Sequence, residues 1–125
     1  MANSLVTGGA GFIGSHLVER LLADGDTVTV LDNLATGSTK NLESVSGHTR
    51  LSIHQVSVAD PESIQPLFQD IDHVYHLAGL ADIVPSIERP EEFHHANVNG
   101  TLTVLEAARG AGVKRLVYAA SSSCY

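Results

Sequence analysis

The run Thr7-Gly8-Gly9-Ala10-Gly11-Phe12-Ile13-Gly14 holds the residues whose types and spacing most directly imply chemistry, namely the binding of a diphosphate by backbone amides. Gly8 permits a tight turn, and Gly11 has no side chain where a pyrophosphate must approach the amides. Gly14 lets the following helix pack closely on the strand before it. The helix N-terminus then offers free N–H donors and the positive end of its dipole to the phosphates. Asp32 stands eighteen residues past Gly14, at the end of the next β-branched run. Its carboxylate can accept hydrogen bonds from both hydroxyls of an adenosine ribose and would repel a 2′-phosphate. No arginine lies near it, so the pattern favours NAD over NADP.

Other chemistry-bearing residues carry weaker signals. Two asparagines and a glycine (Asn97, Asn99, Gly100) fall in a stretch that otherwise reads as mid-helix, against local propensity. Such violations mark functional or close-packed positions. Asn97 is read either as a cofactor contact or as a tie to neighbouring backbone, and Gly100 as close packing. The seven histidines show no ligand pairing with a cysteine or carboxylate pattern, so no metal site is expected. Cys124, the one cysteine, has no partner that would activate it.

The elements that must position these residues follow from a recurring switch of hydrophobic period. A strand at Leu5-Val6 runs into the glycines, and a helix begins at Phe12 with Ile13, Leu17 and Leu21 on one face and Val18 and Leu22 beside it. Gly25 suits the end of that helix. A second strand covers 27–31, a polar stretch 33–48, and a third strand 51–58. Asp60-Pro61 opens a helix with an N-cap carboxylate, its core face being Ile64, Leu67 and Phe68. A fourth strand covers 73–78. A long helix starts at Pro90, with Glu91 and Glu92 complementing its dipole, and ends near Gly110 or Gly112. A fifth strand covers 114–120. This alternation implies an α/β fold, a doubly wound parallel sheet in the order 3-2-1-4-5 with ligands at the carboxyl ends of the strands.

Composition bounds the rest. The 125 residues fit one domain, are 43% hydrophobic, and carry a formal net charge of −7. An acidic surface repels nucleic acid and anionic membranes, so a phosphate-bearing ligand must be held by local geometry. A single cysteine, no secretory leader pattern at the N-terminus and no long apolar run are expected of a cytoplasmic protein.

With Asp32-Asn33-Leu34, the glycine spacing resembles that of the extended short-chain dehydrogenase/reductase family. So do His76-Leu77-Ala78-Gly79, Asn97-Val98-Asn99-Gly100-Thr101 and Ser121-Ser122-Ser123-Cys124-Tyr125. Within that family the chain is most similar to UDP-sugar 4-epimerases; dehydratases and decarboxylases share the motifs. The resemblance implies that Phe12 and Ile13 offer amides to the pyrophosphate and that Asp32 and Asn33 flank the ribose. It also implies that Leu77, Ala78 and Gly79 line the cleft. Ser57 and Val58 fall where relatives place Asp-Ile against the adenine, so Ser57 lacks the usual carboxylate.

Ser121 matches the family's catalytic Ser/Thr, and Ser122 and Ser123 its substrate contacts. The implied reaction is epimerisation of a nucleotide sugar through transient hydride transfer to bound NAD, by an enzyme acting as a homodimer. The family's Tyr-x-x-x-Lys base motif does not occur in the chain, and Tyr125 is not that base. The chain is thus expected to be a partial NAD-binding domain without the substrate domain, inactive alone. Its fifth strand should form an open edge that promotes self-association. A non-catalytic dinucleotide-binding module is the rival reading for the chain by itself.

Overall fold

A computed structural model describes residues 1–81 and 83–120. Five parallel strands form one sheet in the order β3-β2-β1-β4-β5: β1 Asn3–Thr7, β2 Thr27–Leu31, β3 Leu51–His54, β4 His73–His76 and β5 Arg115–Tyr118. Helices fill the crossovers. Helix α1 is Phe12–Ala23, α2 is Pro61–Ile64 (continued by a 3₁₀ turn, Gln65–Phe68), and α3 is Ile83–Glu88. Helix α4 (Pro90–His94) passes through a π-helical turn at His95–Asn99 into α5, Gly100–Ala111. The expected long helix is therefore continuous over 90–111 but widened at the asparagines.

Alternation along the strands builds a core on each face. Leu5, Leu31 and Val74 pack with Ile64, Phe68, Val104 and Ala108 from α2, its 3₁₀ extension and α5. Val6, Val28 and Val30 pack with Val18, Leu21 and Leu22 of α1. Both sides of the sheet are thus covered, as parallel strands require. Edge strand β5 leaves Val117 and Tyr118 exposed. Among the described residues, no helix is long and apolar enough to cross a membrane.

Several details differ from the sequence expectation. Ile13 does not join the core face of α1; it is 70% exposed beside exposed Phe12 in the helix's first turn. The third strand stops at His54, and Val56, Ser57 and Val58 instead turn across the sheet's carboxyl edge. Asp60 occupies the N-cap position of α2, yet its carboxylate accepts from the Ser63 hydroxyl (2.7 Å) rather than capping a backbone amide. The polar stretch after β2 contains a 3₁₀ helix, Thr39–Val45, with buried Leu42. Two helix ends match the glycine reading. After α1 and after α5 the chain reverses through Gly25 and Gly112, both at positive φ, with Asp26 N–H donating to Leu21 O and Val113 N–H to Ala108 O.

Candidate cofactor site

At the carboxyl edge of the sheet β1 turns sharply into α1. Gly8 takes φ +70°, and its N–H donates to Leu31 O at 2.8 Å, while Gly11 N–H closes the turn on Gly8 O at 3.1 Å. A side chain at Gly8 would meet the Ala78 backbone at 2.9 Å. One at Gly14 would stand 2.2 Å from Gly8 O, so Gly14 packs on the glycine turn itself rather than on the strand. Gly11 differs: a Cβ there meets a single atom, Gly8 O at 3.3 Å, and otherwise faces open space. Gly11 is the N-cap of α1, so the amides of Phe12, Ile13 and Gly14, in its first turn, have no acceptor within the helix.

Asp32 follows β2 and is 8% exposed. One carboxylate oxygen accepts the Ala10 amide (3.0 Å), the other the Leu34 amide (2.7 Å). The far end of the Ala10 peptide is held as well, its carbonyl accepting from Ser38 N–H (3.0 Å) and Asn41 Nδ2 (2.7 Å). The glycine turn is thus tied to the loop after β2 before any ligand arrives. Each carboxylate oxygen retains a further lone pair for a ribose hydroxyl. Asn33 turns inward on its own loop, its Oδ1 accepting from Ala35 N–H at 3.0 Å.

Several of these residues line one open cleft. Gly8, Gly11, Asp32, Asn33, Ser57 and Val58 border it, and Leu77, Ala78 and Gly79 form the opposite wall. Among its lining residues there is no lysine or arginine. A diphosphate here must therefore be held by amides, which is what the helix start offers. Ser57 closes the far end, its Oγ accepting the Ala59 amide at 3.2 Å. Val58 is nearly buried, and a Cβ on Gly100 would lie 2.9 Å from its Cγ2, which accounts for that glycine as packing.

Asn97 borders an adjoining pocket rather than this cleft. Its amide forms a reciprocal pair with Leu80: Leu80 N–H donates to Oδ1 (2.7 Å) and Nδ2 donates to Leu80 O (2.9 Å). The tie to neighbouring backbone is the arrangement seen. Gly79 lies against it, since a Cβ there would come within 3.0 Å of Asn97 Oδ1.

Sequence reading missed Thr7, His76 and Thr101, which fix the same wall. Thr7 Oγ1 accepts the amides of Leu77 (3.0 Å) and Ala78 (3.1 Å) and lies 2.7 Å from His76 Nδ1. A threonine in a strand reads as an ordinary β-former, so only its place directly before the glycines could have signalled this role. Among the described residues, no three His, Cys, Asp or Glu side chains gather to hold a metal ion. Ser121, Ser122, Ser123 and Cys124 lie outside the described residues.

Residues 4–125 match the model of the NAD dependent epimerase/dehydratase family. The chain belongs to that family. It is 40% identical to UDP-glucose 4-epimerase 2 of Arabidopsis thaliana over 100% of its own length and 38% of that protein. It superposes with TM-score 0.92 on the UDP-N-acetylglucosamine 4-epimerase of Methanobrevibacter ruminantium, solved with UDP-N-acetylmuramic acid, at 35% identity over 99% of this chain and 39% of that one. The dTDP-glucose 4,6-dehydratase of Streptomyces venezuelae, solved with NAD and TYD, superposes with TM-score 0.86 at 38% identity, over 91% of this chain and 38% of that one. The chain thus spans somewhat over a third of the length of these family members.

Proposed function

We propose that residues 1–125 form the NAD-binding part of a nucleotide-sugar epimerase, with a UDP-sugar as substrate. One observation carries this reading: the glycine turn into α1, through Gly8 and the N-cap Gly11, borders a single cleft together with Asp32, and that cleft has no lysine or arginine among its lining residues. The diphosphate lies over Gly11 against the Phe12 and Ile13 amides, with Gly8 and Gly14 shaping the turn. Asp32 takes the ribose hydroxyls with Asn33 beside it. The adenine rests at Ser57 and Val58, and Leu77, Ala78 and Gly79 wall the other side, held by Asn97. Bound NAD supplies a reversible hydride acceptor for a sugar carbinol.

Ser121 orients the sugar oxygen and shares its proton, and Ser122 and Ser123 contact the substrate. The general base is the tyrosine of a Tyr-x-x-x-Lys motif, its pKa lowered by the lysine. Since no such motif occurs in these 125 residues, the chain by itself binds the dinucleotide without turnover. A second copy is the proposed partner, supported by the exposed stripe Val98, Leu102 and Leu105 on the 90–111 helix. The acidic composition and single cysteine support a cytoplasmic setting.

Calorimetric titration with both cofactors tests the binding reading. NAD should bind more tightly than NADP, and equal or reversed affinity would overturn it. Incubation with NAD and a UDP-sugar should give no epimer from this chain, and measurable turnover would refute the requirement for the tyrosine and lysine. Similarity to the dTDP-glucose 4,6-dehydratase, at 38% identity, favours a nucleotide-sugar dehydratase as second reading. Product analysis on the whole protein, an epimer against a 4-keto-6-deoxy sugar, separates the two.

A further inference from the structure

His76 ends β4 with 1% of its surface exposed, and both ring nitrogens are engaged: Nδ1 with Thr7 Oγ1 at 2.7 Å, Nε2 with Thr101 Oγ1 at 2.9 Å. The protons in this chain can be assigned by elimination. Thr7 Oγ1 already accepts the Ala78 amide and shares the Leu77 amide with Thr7 O (3.2 Å), so its own proton goes to His76 Nδ1. The ring proton is then on Nε2 and is donated to Thr101 Oγ1. Thr101 passes its proton to Asn97 O at 2.6 Å, in the π turn, and the Asn97 side chain grips Leu80. A protonated ring would turn a third donor toward Thr7 Oγ1, which already faces the Leu77 and Ala78 amides. Burial opposes that form as well, lowering the imidazole pKa to about 4.

We infer that His76 is a positioning residue: as a neutral Nε2–H tautomer it locks Thr7 to Thr101 and so holds the 77–80 wall of the cleft from both ends. Thr7 fixes the amides of Leu77 and Ala78, and Thr101 with Asn97 fixes Leu80. The ring itself need not touch a ligand. This inference rests on the proposed NAD site only for what the wall is used for.

Two measurements on this chain decide it. The first is the pair of imidazole 15N shifts of His76 in the free protein at neutral pH. A bare Nδ1 and a protonated Nε2 are expected; an Nδ1–H tautomer, or a rapidly exchanging mixture, would overturn the inference. The second compares Thr101→Val with Thr101→Ser. Valine removes the acceptor for Nε2–H and should speed hydrogen exchange of the Leu77, Ala78 and Leu80 amides ~10-fold, as expected for loss of one buried hydrogen bond. Serine, which restores the hydroxyl, should return exchange to the original rate. A purely packing role for Thr101 predicts the opposite order, because valine preserves its shape and serine does not, and that order would overturn the inference. NAD affinity should follow the exchange rates, also by ~10-fold. If the unaltered chain fails to bind NAD, the proposed function falls, while the tautomer and exchange results still decide the role of His76.

Discussion

Gly14 and Gly11 belong to the same motif, and the structure separates what each is for. In Gly14→Ala the new methyl would lie 2.2 Å from Gly8 O and 2.9 Å from Gly9 Cα, both backbone atoms that cannot rotate away. Restoring ordinary contact requires the start of α1 to retreat by about 1 Å, in a region packed as densely as a crystal. Overpacking of this kind costs ~1–3 kcal/mol, and an immobile obstacle puts it near the upper end. Alanine's better helix propensity returns ~0.5–1 kcal/mol, leaving a net loss of ~2 kcal/mol. For a domain of this size that is a melting point lower by roughly 10 °C. Gly11→Val should behave differently. Gly11 has extended dihedrals (φ −78°, ψ 178°) that valine adopts readily, and a Cβ meets only Gly8 O at 3.3 Å. Its stability should stay within ~1 kcal/mol of the parent, while the isopropyl group fills the diphosphate's place and NAD binding disappears. Thermal unfolding by circular dichroism and calorimetric NAD titration of both variants are the assays. A Gly14→Ala protein that melts with the parent, or a Gly11→Val protein that still binds NAD, would refute this division of labour.

Further outcomes follow from other parts of the cleft. Asp32→Ala should weaken NAD binding by ~1–3 kcal/mol and erode the preference over NADP, measured by titration with each; because Asp32 also holds Ala10 and Leu34, the glycine-turn amides should exchange faster in the free variant. Ser57→Asp should strengthen NAD binding several-fold, by ~1 kcal/mol, through a carboxylate acceptor for the adenine amino group, and unchanged affinity would mean that the adenine lies elsewhere. The folded-state pKa of His76 is depressed from 6.5 to about 4, so its contribution is present above pH 6.5 and is lost as pH falls toward 4. The loss amounts to ~2–3 kcal/mol across that window, and His76→Gln should flatten the corresponding part of a stability-versus-pH curve from urea titrations.

The sheet order was legible in the sequence because each strand holds a short apolar stretch and three of the four crossovers change to a helical period. Gly25 and Gly112 marked helix ends correctly for the same local reason: a left-handed residue is needed there. Legibility failed where tertiary geometry overrides the local pattern. The apolar residues Val56 and Val58 extend the β3 pattern in sequence, but the chain turns at Ser57, whose hydroxyl takes the Ala59 amide, and so it borders the cleft instead of pairing. Ile13 fits the helical period of α1 yet stays exposed in its first turn. Within the site, the turn at the glycines and the place of Asp32 on the same cleft could be read because residue type and spacing set them. Thr7, His76 and Thr101 could not, since their roles depend on three elements meeting across the fold. Asn97 lay between these cases: its conflict with helix propensity flagged it, but only the fold shows that its amide serves Leu80.

In the proposed binding mode NAD lies across this cleft, with its diphosphate on the start of α1 and its adenosine ribose on Asp32. Titrating NAD into 15N-labelled protein and following the backbone amides tests it most directly. The largest shifts should fall on Gly11, Phe12, Ile13 and Gly14, with a second group at Asp32, Asn33 and Leu34, and both groups should saturate together. Saturable binding that leaves those amides unmoved, with shifts concentrated elsewhere on the chain, would contradict it.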